Sequence, residues 1–154
     1  MEYVFQNDVR IYFLMEFVKG GELFTHIIQK KRFDEESTKF IVAQIATALG
    51  YLHSKEIIYR DLKPSNVLVS NDGHAKLIDF GAAREEASRE TRAVSSVLIV
   101  KDGYSPQEFY FAGGKQGPSS DLYALSASFY HLINNDVPPN SQARLAAIAS
   151  GDPD

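Results

Sequence analysis

The sequence predicts an α+β fold that is mainly helical. Two long segments, residues 34–54 and 119–134, repeat apolar side chains at the spacing of an amphipathic helix. Two others, residues 2–17 and 67–78, are rich in β-branched and aromatic residues around a polar turn, which is typical of β-hairpins. With 154 residues the chain can bury a sizeable core, and its length suggests one domain.

The first hairpin is expected to pair residues 2–6 with residues 10–17 across an Asn-Asp turn. The apolar content of the second strand predicts that this strand is buried. Residues 19–21 (Lys-Gly-Gly) should end the strand, and a short helix is expected from Glu22 to about Lys31.

The helix over residues 34–54 is the most clearly marked element. Asp34 can cap its N-terminus, while Glu35 and Glu36 suit its first turn because carboxylates are favoured there by the helix dipole. A second long helix is expected from residue 119 to residue 134, where two asparagines and a Pro-Pro pair end it.

The segments between and after these helices complete the prediction. Residues 67–69 should pair with residues 76–78 across an Asn-Asp-Gly turn. Residues 82–103 have no sustained period and predict a long loop, and a weaker helix is expected over residues 141–149.

Composition limits the classes of function. The net charge is −4 and the longest basic cluster is residues 30–32, so a general nucleic-acid-binding role is not expected. The chain has no cysteine, which excludes disulfides and thiolate metal sites and fits a reducing compartment. We found neither a signal peptide nor an apolar run of membrane-spanning length, so the expected location is cytoplasmic, without a membrane partner.

Three oxygen-bearing side chains are the most informative feature of the sequence. Asp61 and Asn66 lie five residues apart, Lys63 lies between them, and Asp79 follows 18 residues after Asp61 at the start of Asp-Phe-Gly. Phosphoryl transfer needs such a set, with one carboxylate to deprotonate a hydroxyl and two oxygen ligands to hold Mg²⁺ against a triphosphate. The alternative is that these residues only form turns, which Asp and Asn favour for local reasons.

The order and spacing of these residues resemble the catalytic and magnesium loops of eukaryotic-type serine/threonine protein kinases. The resemblance implies a kinase-like large lobe with a remnant β-hairpin of the small lobe, and ATP and Mg²⁺ as cofactors. It implies that Asp61 accepts the proton of the substrate hydroxyl and that Lys63 steadies the transferred phosphoryl group. Asn66 and Asp79 would hold the metal ion, and a Ser or Thr of a protein would be the acceptor.

Residues 15–18 (Met-Glu-Phe-Val) resemble the hinge of the same family. Met15 would be the gatekeeper at the back of the adenine pocket, although a plain core role is the alternative. Backbone groups of Glu16 and Val18 would read the adenine edge, and Leu68 would form the floor beneath it. Glu22 would meet the ribose or a basic substrate side chain, but it equally suits a helix N-terminus.

The resemblance extends into the loop and helix that follow. Arg60 would pair with a phosphorylated residue of the loop, where the available acceptors are Thr91, Ser95 and Ser96. The alternative is that these three are plain polar loop residues. Glu108 matches the glutamate that ends the activation segment, and Asp121 matches a helix-borne aspartate that hydrogen-bonds the catalytic-loop backbone.

Several positions depart from the family pattern. No glycine-rich loop and no V-A-I-K-type lysine are present, so residues 1–18 would be the last small-lobe strands and hinge, and residues 19–154 an incomplete large lobe. Lys101 stands where a threonine usually links the catalytic Asp to the Lys. Glu108 lacks its expected basic partner, so an unpaired carboxylate is expected there. The front half resembles the AGC group of kinases, and the rear half resembles bacterial serine/threonine kinases.

Three functions remain open from the sequence. The first is phosphorylation of protein Ser or Thr, with the isolated chain inactive because the phosphate-gripping parts are absent. The second is a non-catalytic kinase-like module or inert fragment, with a partner that covers exposed lobe surface. The third is a small-molecule phosphotransferase, against which the peptide-docking-like element at residues 103–108 argues.

Overall fold

The computed structural model describes residues 3–85 and 100–152, in which helices outweigh strands. The strands, in chain order, are β1 (Tyr3–Gln6), β2 (Ile11–Leu14), β3 (Gly20–Glu22), β4 (Ile57–Ile58), β5 (Val67–Ser70), β6 (Ala75–Leu77) and β7 (Arg84–Glu85). The α-helices are α1 (Leu23–Lys30), α2 (Glu35–Ser54), α3 (Pro118–Asn134) and α4 (Ser141–Ser150). The strands form small antiparallel sheets, and the predicted mainly helical α+β fold is confirmed.

The predicted N-terminal hairpin is present, but its predicted burial is wrong. Strands β1 and β2 pair antiparallel, with Tyr3 opposite Leu14 and Gln6 opposite Ile11. Ile11 is 56% exposed and Leu14 is 48% exposed. Apolar composition favours a strand, but burial also requires a neighbouring element, and the described residues pack too little against this hairpin to cover it.

Strand β3 is an element that the sequence did not predict. Gly20–Glu22 pairs antiparallel with β5, which pairs in turn with β6. A Cβ atom on Gly20 would lie 2.0 Å from the carbonyl oxygen of Val69, so glycine allows the two backbones to approach this closely. The β5–β6 hairpin was predicted correctly.

Helix α2 begins and ends as predicted. The carboxylate of Asp34 accepts a hydrogen bond from the Ser37 backbone N–H at 2.8 Å, which satisfies one of the free donors of the first turn. The inner face of α2 packs against α3 and β6 in the core. Fully buried core side chains come from several elements: Leu23, Ile27, Ile45, Leu49, Tyr59, Leu62, Val67 and Leu132.

The predicted loop over residues 82–103 contains a strand at its beginning. Arg84–Glu85 pairs as β7 with β4, an interaction between segments 27 residues apart that local sequence does not signal. The candidate phosphorylation sites Thr91, Ser95 and Ser96 lie outside the described residues. Among the helices of the described ranges, none has the length and apolar character needed to span a membrane.

Candidate active site

Asp121 on α3 fixes the backbone of the loop that follows β4. Its side chain is fully buried, and it accepts hydrogen bonds from the N–H groups of Tyr59 at 2.9 Å and Arg60 at 2.7 Å. His53 Nε2 lies 2.8 Å from the same carboxylate. The contact between a helix-borne aspartate and the loop backbone is thus confirmed, and the loop is positioned from outside rather than by its own sequence.

Asp61 and Asn66 are brought together by a 3₁₀ turn at Pro64–Asn66. The Asn66 side-chain nitrogen donates to the Asp61 carbonyl oxygen at 2.8 Å and to the Asp61 carboxylate at 2.9 Å. Because both bonds use the amide nitrogen, the amide oxygen of Asn66 remains available as a ligand for a cation. Proline at the start of the turn favours this geometry.

Two lysines flank the Asp61 carboxylate. Lys63 Nζ lies 3.9 Å from Asp61 Oδ2, and Lys101 Nζ lies 3.9 Å from Asp61 Oδ1. Burial lowers the pKa of Lys63, the charge of Asp61 opposes this shift, and the adjacent Lys101 ammonium reinforces it. The family resemblance gives position 101 to a threonine that links the catalytic Asp to the Lys, so this position was expected near Asp61, but the resemblance assigns no role to a lysine there.

Asp79 follows directly on the backbone that supports Asn66. The N–H of Ile78 donates to the Asn66 carbonyl oxygen at 3.0 Å, and the Tyr59 hydroxyl donates to the Ile78 carbonyl oxygen. Asp79 has a left-handed backbone (φ 59°). Burial raises the pKa of Tyr59, and the charges of Asp61 and Asp79 raise it further, so both carboxylates act on one ring.

The donor set fits a hard divalent cation, because Asn66 and Asp79 offer an amide and a carboxylate oxygen. The described part of the chain contains no group of three or more His, Cys, Asp or Glu side chains that could hold a metal ion. Mg²⁺ usually takes only one or two protein ligands and completes its shell with water and phosphate oxygens, so a pair of protein oxygens is compatible with this ion.

Two of the predicted nucleotide contacts, Glu22 and Leu68, share one face of the β3–β5–β6 sheet. Glu22 is the register partner of Leu68, and Leu68 is the register partner of Lys76. Side chains of directly opposite residues lie on the same face of an antiparallel sheet, so these three form a row. Lys76 forms an ion pair with Glu16 of the hinge-like segment, which ties that segment to the row.

The other two predicted hinge residues are less constrained. Met15 is 54% exposed, so the alternative of a plain core role is wrong for this residue, because the described elements do not cover it. Val18 is partly buried. Glu22 is the N-cap of α1 without a side-chain capping hydrogen bond, so it does not cap the helix through its carboxylate.

Glu108 is not the unpaired carboxylate that was expected. Ser120 at the start of α3 donates its hydroxyl to the Glu108 carboxylate, and the Ser120 oxygen accepts from the Gly117 N–H at 3.1 Å. Glu108 is only partly buried, so one hydroxyl together with solvent satisfies it. The expectation of an orphaned charge was wrong because it considered only basic partners.

Comparison with known proteins identifies the class to which this fold and site belong. The family model described as the protein kinase domain matches residues 1–150, and the chain belongs to this family. It is 34% identical over 149 residues to ribosomal protein S6 kinase alpha-2 of Homo sapiens, covering 97% of this chain and 20% of that protein. It is 39% identical over 134 residues to protein kinase C-like 1 of Caenorhabditis elegans, covering 87% of this chain and 19% of that protein.

Ribosomal protein S6 kinase alpha-3 of Homo sapiens is a third relative, 36% identical over 138 residues. The match covers 90% of this chain and 18% of that protein. The chain therefore spans about a fifth of the length of the curated relatives that it matches. These relatives bear out the identification of the serine/threonine branch and the AGC resemblance, which the sequence indicated for the front half alone.

Proposed function

We propose that this chain supplies the large-lobe part of a serine/threonine protein kinase that transfers the γ-phosphoryl group of ATP to a protein hydroxyl. The observation that carries the proposal is the bonded pair of Asp61 and Asn66, with Lys63 beside it and Asp79 at the end of the adjacent hairpin. Residues 1–18 would be the last small-lobe strands and hinge, and residues 19–154 would belong to the large lobe. The proposed location is cytoplasmic.

The roles follow from what each group can do where it lies. Asp61 is held by an amide donor and can accept a proton from an alcohol, which is a general-base role. Lys63 carries positive charge to the place where the phosphoryl group passes. Asn66 and Asp79 would bind Mg²⁺, whose bound form would neutralise the triphosphate and orient it for transfer.

The nucleotide would lie over the sheet row. Leu68 offers an apolar floor to the adenine, and Glu22 beside it can accept hydrogen bonds from the ribose hydroxyls. Backbone groups of Glu16 and Val18 would read the adenine edge, with Met15 behind. The ion pair from Glu16 to Lys76 supports the placement of this segment beside Leu68.

Nucleotide binding tests this proposal without requiring turnover. We expect Mg²⁺ and ATP together to shift the backbone amide resonances of Glu22, Leu68 and Asp79 in an NMR titration. Asp79→Asn should remove the magnesium dependence, because the carboxylate ligand is lost. Asp136→Asn, at an exposed position, is the matched control. Absence of shifts, or identical magnesium dependence in Asp79→Asn, would contradict the proposal.

We also propose that the isolated chain has negligible turnover. Its sequence contains neither the glycine-rich loop nor the V-A-I-K-type lysine, and the binding of the phosphates by such parts is a large part of catalysis in this mechanism. Labelled ATP, Mg²⁺ and a generic basic protein substrate provide the assay. Strong incorporation that Asp61→Asn abolishes would overturn the inactivity while supporting the chemistry.

A second candidate function is a kinase-like module that acts by binding a partner. The observation that favours it is the exposed apolar surface of the β1–β2 hairpin, where Tyr3 is 68% and Phe5 57% exposed. Size-exclusion chromatography with light scattering tests it. A monomer that binds no apolar dye would count against this candidate.

A further inference from the structure

Lys101 brings a positive charge to the candidate site, but the proposed mechanism assigns it no role. It approaches Asp61 Oδ1, whereas Lys63 approaches Asp61 Oδ2, so each carboxylate oxygen faces one lysine. The Lys101 and Lys63 side chains are 29% and 22% exposed, and that of Asp61 is 14% exposed. In such a partly buried group charges are screened less than at an open surface.

The two separations leave hydrogen-bonding capacity on both lysines. At 3.9 Å each Nζ is beyond the 2.7–2.9 Å of a charge-assisted hydrogen bond, and each ammonium carries three donors. In the described ranges neither Nζ donates a hydrogen bond to an oxygen. Lys63 and Lys101 balance the charges of Asp61 and of Asp79, which also acts on Lys63, so it is the free donors of the two ammonium groups that can hold a further anion.

Backbone contacts hold Lys101 in this position. Its N–H donates to the Ser105 hydroxyl at 2.8 Å, and its carbonyl oxygen accepts from Tyr104 N at 3.0 Å and Ser105 N at 2.9 Å. Ser105 is itself buried. Three bonds around one residue give a defined direction to the start of its side chain, so its approach to Asp61 is built into the turn.

We infer that Lys101 is a second phosphate-binding lysine, which together with Lys63 holds the dianionic phosphoryl group of the phosphorylated acceptor beside Asp61. This inference rests on the proposed function, because it names the acceptor product as the ligand. A phosphoserine dianion matches two donor-rich cations, whereas an unphosphorylated serine has no charge to offer them. Lys101 thereby gives this site a preference for the phosphorylated form of its substrate.

The test is an NMR titration with N-acetyl-phosphoserine methylamide, with its unphosphorylated counterpart and with inorganic phosphate, in the absence of divalent cations and ATP. The phosphorylated ligand and phosphate should shift the amides of Asp61 and Lys101 saturably, and the unphosphorylated ligand should not. Lys101→Met should weaken binding by about tenfold, the effect of one charge-assisted hydrogen bond. Lys101→Arg, which keeps the charge, should restore most of it.

Asp61→Asn separates this role from a merely structural one. Removing the carboxylate leaves both ammonium groups without their anion, so phosphate binding should tighten by about threefold or more, as expected for lost like-charge repulsion. A structural role for the cluster predicts no gain. Lys115→Met, at an exposed position, is the matched control and should bind as the wild type does.

Equal binding of both serine derivatives would overturn the inference, as would Lys101→Met binding phosphate as tightly as the wild type. Should Lys101→Met melt early by circular dichroism, Asp61→Asn decides, because unchanged or weaker binding there contradicts the inference. The titration needs neither nucleotide nor turnover. Its failure is therefore distinguishable from failure of the ATP titration, which tests the proposed function.

Discussion

Tyr12 and Tyr59 are the same side chain in opposite settings. Tyr12 in the β1–β2 hairpin is 38% exposed, and its ring stacks on Phe5 of the same hairpin at 5.0 Å. Tyr59 is fully buried, donates its hydroxyl to Ile78 and meets the edge of Phe80 at 5.3 Å. The hairpin is held mainly by contacts within itself, whereas the loop after β4 is held by α2, α3 and the β5–β6 hairpin.

This difference bears on how each region can serve a site. A two-stranded hairpin alone is marginally stable in water, so the hinge-like segment that follows it receives little positional support from that side. Asp61 and Asn66, in the loop after β4, instead lie on backbone that a buried carboxylate fixes. Precise placement of charged groups is therefore found in the loop after β4 and not beside the hairpin.

Truncation of one leucine in each region should show the largest contrast. Leu62 is 2% exposed in the loop after β4, and Leu14 is 48% exposed at the end of β2. Leu62→Ala should lower the free energy of unfolding by about 2–5 kcal/mol because it leaves a cavity. Leu14→Ala should cost about 1 kcal/mol, since half of its surface already contacts water. Urea denaturation measures both, and equal losses at unchanged m-value would break the comparison.

Asp121→Asn should have the next largest effect. The carboxylate accepts hydrogen bonds from Tyr59 N and Arg60 N and contacts His53. An asparagine amide has one acceptor oxygen in place of two, and its NH₂ group would face the backbone N–H donors. We expect a loss of about 3 kcal/mol in the free energy of unfolding. Amide exchange at Tyr59 and Arg60 should accelerate at the same time.

Exposed Asp136 gives the control for this change. Asp136→Asn should alter the unfolding free energy by less than about 0.5 kcal/mol. If Asp121→Asn unfolded no more easily than this control, the buried carboxylate would not be the anchor of the loop.

Much of this architecture could be predicted because its signals are local. The Asp34 cap and the apolar period that follows mark α2, and the Asn-Asp-Gly turn marks the β5–β6 hairpin. The spacing of Asp61, Asn66 and Asp79 likewise lies in one short stretch. Each of these signals needs only a few neighbouring residues to be recognised.

The remainder depends on partners that are distant in sequence. Strand β3 has three residues, two of which are glycines, and it forms a strand only because it pairs with β5. The hairpin at β1–β2 has apolar residues that the rest of the described chain does not cover sufficiently, and Lys101 approaches Asp61 from 40 residues away. Residue propensity and hydrophobic pattern do not predict such contacts, because the contacts depend on tertiary packing.

The smallest predicted effect concerns the link between the two regions, the ion pair of Glu16 and Lys76. Both side chains are substantially exposed, at 69% and 43%, so solvent weakens their attraction. A double-mutant cycle of Glu16→Gln and Lys76→Met should give a coupling energy of about 0.2–1 kcal/mol that falls with added salt. A coupling above about 2 kcal/mol, insensitive to salt, would place the pair outside the range of exposed ion pairs. The hinge-like segment would then be anchored almost as firmly as the loop after β4. The weak anchoring that Tyr12 illustrates would be limited to the β1–β2 hairpin, which ends at Leu14.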